Sequence, residues 1–293
     1  MATFVRFWGT RGSIPTPGNK TRKYGGNTSC IELRIDETLF VCDGGTGLRE
    51  LGLSLAERGH DPIEAHMFFS HTHWDHIQGF PFFVPAYSPS TQLHVYDVSA
   101  DDDRVHRLLL GQMQSDYFPV SFSDLGSRIL SRNFEHQKTV IDGVTVSFLE
   151  QQHPGRSFAY AFEKGGTKVV YATDNELDLT LLNPAEVTRD PECLRRAPED
   201  FIRFVAGADL LIADGQYTDE EYAQKIGWGH ARARTVVDLA VTAGVKQCAI
   251  FHHDPMHSDD VVEDKIDDCR ARARRFGSNL SVFGAREGLE LKL

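Results

Sequence analysis

The chain has 293 residues, 41% apolar and 25% charged, with a formal net charge of −11. A chain of this size can bury a large core without a disulfide framework, and its five scattered cysteines, none in a C-x-x-C pair, fit reduced thiols. The negative charge argues against a broad electrostatic grip on nucleic acid, and no apolar run approaches the ~18 residues of a membrane span.

Short apolar runs that end in turn residues predict strands. The first is Phe4–Trp8, leading into Gly9. A strand this early leaves no place for a signal peptide, so a cytoplasmic location is expected. Ile31–Ile35 and Leu39–Val41 flank Asp36-Glu37 and read as a hairpin. Further strands are expected at His66–Phe69, Leu93–Tyr96, Val144–Leu149, Phe158–Phe162, Lys168–Ala172, Leu210–Ala213 and Gln247–Phe251. Helical spacing marks Leu48–Arg58, Ala231–Ala243 and Val261–Phe276, the last with basic residues at its end, which suits the helix dipole. Ser99–Gln114, opening on Asp101-Asp102-Asp103, reads as an inserted helix, and Glu176–Asp200 as a loop-rich excursion. With no linker or repeat, residues 1–293 are expected to form one α/β domain of mixed sheets covered by helices.

The chemistry is concentrated in Phe68-Phe69-Ser70-His71-Thr72-His73-Trp74-Asp75-His76-Ile77-Gln78-Gly79. His71 and His73 are two apart in extended chain, so their side chains point the same way. Asp75 and His76 follow as the chain turns into a helix and diverge from one another. Imidazole and carboxylate suit zinc and its first-row neighbours, so two different ions could be served. A polar surface loop rich in histidine is the plain alternative.

This ordered cluster resembles the metallo-β-lactamase superfamily. The resemblance implies an αββα sandwich, two sheets packed face to face between helices, with metals at one edge. It extends from about Phe4 to Pro255. A later histidine is matched by His153 after Val144–Glu150, an aspartate by Asp174 after Lys168–Thr173, and a last histidine by His252 after Cys248–Phe251. His253 is the alternative at that position. The implied sets are His71, His73 and His153 for one divalent ion and Asp75, His76 and His252 for a second, with Asp174 bridging. Zinc is expected first, with manganese or iron as alternatives. Asp43, before Gly44-Gly45, matches an aspartate that orients the metal loop.

Lactamases of the superfamily usually carry cysteine where this chain has Asp174. Gly227-Trp228-Gly229-His230-Ala231 is similar to the Gly-His-Ser/Thr element of the phosphodiesterase branch, which includes tRNA 3′-processing endonucleases and PhnP-type phosphodiesterases, although Ala231 replaces the hydroxyl residue. The resemblance implies that His230 faces the scissile phosphate, supported by Asp214. His230, Asp214 and Asp75 are the expected catalytic residues. The glycine loops Phe7–Ser13 and Gly25–Cys30 would rim the metals.

The expected activity is hydrolysis of a small anionic phosphodiester such as a cyclic nucleotide, with Arg11, Asn27, Ser29 and Arg156 as candidate contacts. A large nucleic acid is disfavoured on the net charge and on the lack of a long basic arm, and no membrane partner is expected. A homodimer is left open. The competing readings are a thiolester or ester hydrolase of the glyoxalase type, a tRNA 3′-processing-like endoribonuclease, a mononuclear iron dioxygenase, and a metal-binding module without activity.

Overall fold

A computed structural model describes residues 2–59, 62–98, 104–134 and 136–293. Its first sheet takes in β1 (Thr3–Gly9), β2 (Cys30–Ile35), β3 (Thr38–Cys42), β4 (Glu64–Phe68), β5 (Gln92–Asp97) and β6 (Arg128–Asn133) in that spatial order. The second sheet is built of β7 (Lys138–Ile141), β8 (Val144–Gln151), β9 (Ser157–Lys164), β10 (Thr167–Ala172), β11 (Leu210–Asp214), β12 (Gln247–Phe251) and β13 (Ser281–Gly284), also side by side in chain order. The chain then returns to the first sheet, where β14 (Glu290–Lys292) pairs antiparallel with β1.

Period-two alternation explains why the sheets stack. In the first sheet Val5, Phe7, Ile31, Leu33, Phe40 and Phe68 face inward; in the second, Phe162, Val169, Tyr171, Ile212 and Phe251 do so, and the two sets form one core. The residues between them, such as Val41 and Met67 or Val170 and Ile250, face outward into two further cores. Those outer cores are closed by α1 (Gly47–Glu57) on the first sheet, and by α5 (Glu199–Val205), α7 (Ala233–Thr242) and α8 (Asp259–Arg275) on the second. The result is the four-layer αββα sandwich. Strands β3 to β6 run parallel, as do β10 to β13, and both groups are covered on both faces, so most read as unbroken apolar runs.

Apart from the helix expected at Ser99–Gln114, the strands and helices expected from the sequence are found to within about three residues at either end. The helix expected at Ala231 starts at Ala233 because Arg232 has extended backbone (φ −71, ψ 135), with its N–H held by Asp178 Oδ2 at 2.8 Å. The excursion 176–200 holds a 3₁₀ turn (Leu177–Thr180) and a short helix, α4 (Pro184–Arg189). Within the proposed insertion 99–114 a helix α3 (Arg104–Gly111) forms, and the aspartates expected to start it lie outside the described residues. Four strands escaped the sequence reading: β6, β7, β13 and β14. They are the four outer strands of the two sheets. An edge strand pairs on one side only and tolerates polar residues, as in Arg-Ile-Leu-Ser-Arg-Asn of β6, so its alternation is weak. No helix among the described residues is long and apolar enough to cross a membrane.

Phe251 sits fully buried between the sheets, directly before His252. Phe251→Ala should destabilise the fold by about 3–5 kcal/mol, the range for deleting a large buried ring, read as a lowered urea midpoint with an unchanged slope.

Candidate functional site

The site forms where β3, β4, β8, β10, β11 and β12 end. Three of those strands finish in a non-glycine residue with left-handed backbone: Asp43 (φ 59), Asp174 (φ 52) and His252 (φ 57). Aspartate and histidine visit that region more readily than branched residues. The turn after each strand swings a short polar side chain back over the sheet edge.

Beyond β4 the chain bends at Ser70 and again at His73, then enters the single-turn helix α2 (Trp74–Ile77). His71 Nε2 lies 2.9 Å from His73 Nδ1, and His153 Nε2 lies 3.1 Å from the same atom. The second group is Asp75, His76, Asp174 and His252. Asp75 Oδ2 stands 3.1 Å from both His76 Nε2 and His252 Nε2. Asp174 joins the groups. Its Oδ1 is 3.2 Å from His76 Nε2 and from His252 Nε2, while its Oδ2 is 3.6 Å from His71 Nε2 and 3.9 Å from His153 Nε2.

The hydrogen bonds around these rings fix which nitrogens are free. A carboxylate only accepts, so His76 Nδ1, 2.7 Å from Asp43 Oδ2, carries the proton. His153 Nδ1 donates to the Gly229 carbonyl at 2.9 Å. The hydroxyl of Ser70 donates to Asp43, leaving its oxygen to accept from His71 Nδ1 at 3.1 Å. In each ring Nε2 is therefore left pointing into the cluster. His76 Nε2 is buried, has no hydrogen-bond partner and faces two carboxylate oxygens. Such an arrangement is repulsive unless a proton or a cation stands between the atoms. The donor set of imidazole nitrogens and carboxylates thus fits two divalent ions of the zinc type.

The proton affinities divide the same way. Burial, helped by the neighbouring His76, holds His71 well below the usual histidine range, and burial also lowers His73 and His153, so this triad is neutral at pH 7. Burial opposes charge on His76 as well, but Asp174, Asp75 and Asp43 outweigh it and raise its pKa well above the usual value. Metal entering this half must expel a proton.

Beside the second group stands a dyad. His230 Nδ1 is 2.7 Å from Asp214 Oδ2 and 3.8 Å from Asp174 Oδ2. Asp214 is fully buried at the end of β11, and its other oxygen accepts the N–H of Gln216 at 2.9 Å. Burial works against a charged His230, but the Asp214 carboxylate more than offsets it, and the pKa is pushed up to about 9.

All the residues expected as ligands or as the acid pair are brought together. His253 is not among them; its Nε2 turns to the Ala285 carbonyl at 2.8 Å. The expected substrate contacts fare differently. Arg11 is fully buried and donates to the carbonyls of Gly25, Asp254 and His257. Asn27 is held by Glu287, Ser29 is fully buried, and Arg156 pairs with Glu150. Arg11 thereby ties its glycine loop to the segment after His252, and the Asn27 carbonyl joins the two glycine loops by accepting the N–H of Thr10 and of Arg11, both at 2.9 Å; Gly12 N to His253 O and His253 N to Thr10 O, both 3.0 Å, complete the seam. A substituted Gly12 would drive a Cβ to 2.5 Å from the His252 ring.

Sequence reasoning missed Glu176. Its carboxylate accepts the N–H of Gly227 at 2.7 Å, that of Gly229 at 2.8 Å and the Tyr222 hydroxyl at 2.9 Å, and so holds the loop carrying His230. A second cluster, Glu64, His66 and His94, lies at the far end of β4. His94 Nδ1 accepts from Arg132 at 3.1 Å, so Nε2 carries the proton given to Glu64 at 2.8 Å, and its lone pair is already used.

Residues 38–253 match the β-lactamase superfamily domain, and the chain belongs to that family. Along 88% of its length it is 26% identical to a protein of Methanosarcina mazei named Ribonuclease Z, covering 89% of that protein. Among solved structures it is similar to the metallo-β-lactamase fold protein YhfI from Bacillus subtilis (TM-score 0.69, 20% identity, 100% of this chain and 99% of that one). It is likewise similar to the short form of human tRNase Z (TM-score 0.65, 15% identity, 98% of both chains). The chain is therefore a metal-dependent hydrolase of this superfamily.

One expectation is overturned. A large nucleic acid was disfavoured on net charge, yet relatives matched over most of their length bear the name Ribonuclease Z. The sum of −11 is a poor guide because cations held by the histidine and aspartate cluster would outweigh it locally and set the field there.

Asp174→Ala should lower the metal content of purified protein from two ions per chain to fewer than one, by elemental analysis, because each half loses a carboxylate oxygen. Gly229→Ala should act on the triad more than on the second group. Its Cβ would lie 2.2 Å from His153 Nδ1 at a left-handed position (φ 90), so one of the two ions should be lost.

Proposed function

We propose that this chain is a phosphodiesterase that cleaves RNA at a dinuclear zinc centre, in the manner of the tRNA 3′-processing endoribonucleases. His71, His73 and His153 would hold one ion, Asp75, His76 and His252 the other, and Asp174 both. The observation that carries the reading is the His230–Asp214 pair at 2.7 Å beside Asp174. Hydrolysis of a thiolester expels a good leaving group and has little use for a buried proton donor, whereas a ribose oxygen is a poor leaving group and needs one. The names of the relatives support RNA as the diester.

Bound ions would supply Lewis acidity toward the phosphate oxygens and lower the pKa of a water. The protein's own residues do the rest. Asp43 and the Gly229 carbonyl hold His76 and His153 by their Nδ1 atoms, so that Nε2 of each stays directed at the centre. Asp214 holds His230 by Nδ1, which leaves Nε2 to pass a proton to the departing ribose oxygen.

The sign of the pH dependence follows. With its pKa raised to about 9, His230 is protonated at pH 7 and loses its proton as pH rises through that value. Turnover of an unactivated diester should fall on the alkaline side. Bound cations would offset the charges of Asp174 and Asp75, leaving Asp214 as the main support. Asp214→Asn should therefore move the alkaline fall to lower pH. His230→Ala should keep both ions and lose ~10²–10⁴-fold in kcat, with a smaller loss on a diester bearing a nitrophenyl leaving group.

The direct test is metal-analysed protein with a 3′-extended precursor tRNA, an unstructured oligoribonucleotide, cyclic nucleotides and a thiolester. Endonucleolytic cleavage of RNA that disappears in His230→Ala is the expected result. Thiolester hydrolysis alone, indifferent to His230, would overturn the proposal.

A further inference from the structure

Trp228 is 59% exposed, although a tryptophan left in water forgoes the burial of a large apolar ring. Its loop is nevertheless firmly held. The glycines on either side both take left-handed backbone (φ 86 and 90) and both donate their N–H to Glu176, which is itself 1% exposed. The Glu176 N–H donates to the Gln152 carbonyl at 2.7 Å, next to His153. Trp228 N donates to the Lys225 carbonyl at 3.1 Å, closing a turn that sets the Lys225 ammonium 4.1 Å from the indole centroid. The same ammonium is 5.7 Å from the Tyr217 ring. The next residue along, Gly229, gives its carbonyl to His153, and the one after is His230. An exposed indole on a firmly held backbone, with a cation over one face, therefore stands one residue from a ligand's anchor and two from the acid.

Resting on the RNA reading above, we propose that Trp228 and Lys225 form a nucleotide subsite beside the metal centre. A base flanking the scissile phosphate stacks on the indole, and the Lys225 ammonium pairs with the adjoining phosphate. Stacking on an aromatic is tolerant of base identity, and a lysine reads phosphate as a point charge, so the subsite would favour a single-stranded nucleotide without choosing its base. The clamp by Glu176 means that little ordering is needed when the nucleotide arrives.

The experiment titrates a non-cleavable 2′-O-methyl oligoribonucleotide into the full-length protein and follows indole fluorescence. Quenching is expected in the unaltered protein and in Trp74→Leu, and should be largely lost in Trp228→Leu. In kinetics, Trp228→Leu should raise KM for a cleavable oligoribonucleotide by about tenfold or more. The effect on methyl p-nitrophenyl phosphate, which has no base, should be several-fold smaller. Lys225→Ala should reduce the slope of log KM against log salt by roughly 0.7, one single-strand phosphate contact. Quenching and KM indifferent to both substitutions would overturn the subsite. Absence of RNA cleavage by the unaltered protein would instead count against the proposed function, and the quenching experiment would still decide the subsite.

Discussion

Four donors converge on the buried carboxylate of Asp43: the Ser70 N–H at 2.7 Å, the Ser70 hydroxyl at 2.8 Å, His76 Nδ1 at 2.7 Å and the Tyr171 hydroxyl at 2.6 Å. Ser70 and His76 belong to the segment after β4 in the first sheet, and Tyr171 lies on β10 in the second. One charge thus joins both sheets under the metal cluster. A buried carboxylate this deep is tolerable only when its lone pairs are taken. Taking them fixes the start of the His71–His76 segment and the tautomer of His76. The cluster depends on this interaction more than on any single ligand.

The left-handed residues at the strand ends belong to the same design. Asp43, Asp174 and His252 each carry a backbone conformation that costs of order 1–3 kcal/mol, and the surrounding structure must over-determine it. The surroundings do. Asp43 is held by its donors, Asp174 by Thr173 and the converging imidazoles, and His252 by the loops 9–12 and 252–254 that hydrogen-bond to each other. The glycine loops and the buried Arg11 guanidinium are structural supports for His252, and that accounts for their place at the rim.

Net charge misled because it averages over the whole surface, whereas a substrate meets a few ångströms of it. Many carboxylates here are committed inward, as Asp43, Asp75, Asp174 and Asp214 are. Cations held among the middle two would dominate the field at the mouth, while the acidic residues elsewhere act through solvent and are screened.

The sequence by itself determined the sandwich and the composition of the cluster. Strands buried on both faces must be apolar throughout, so local pattern gives an α/β chain of such strands, while the sandwich and the full ligand set follow from the ordered motifs through their resemblance to a family. His71, His73, Asp75 and His76 are legible because one short segment holds them. His153, Asp174, Asp214, His230 and His252 were legible only through their position after successive strands and by resemblance to a family. Tertiary structure alone decided the rest. The edge strands β6, β7, β13 and β14 owe their state to one neighbour and not to their residues. Choosing His252 over His253 depended on which ring the left-handed turn after Phe251 sends into the cluster. Arg11 looked like an anion contact because its charge is visible in sequence, but its burial against three carbonyls is not. Glu176 gave no signal at all, since two of its three partners are backbone N–H groups 51 and 53 positions away and the third is a hydroxyl 46 positions away. Backbone donors have no sequence signature, so a clamp built on them becomes visible only when the chain is folded.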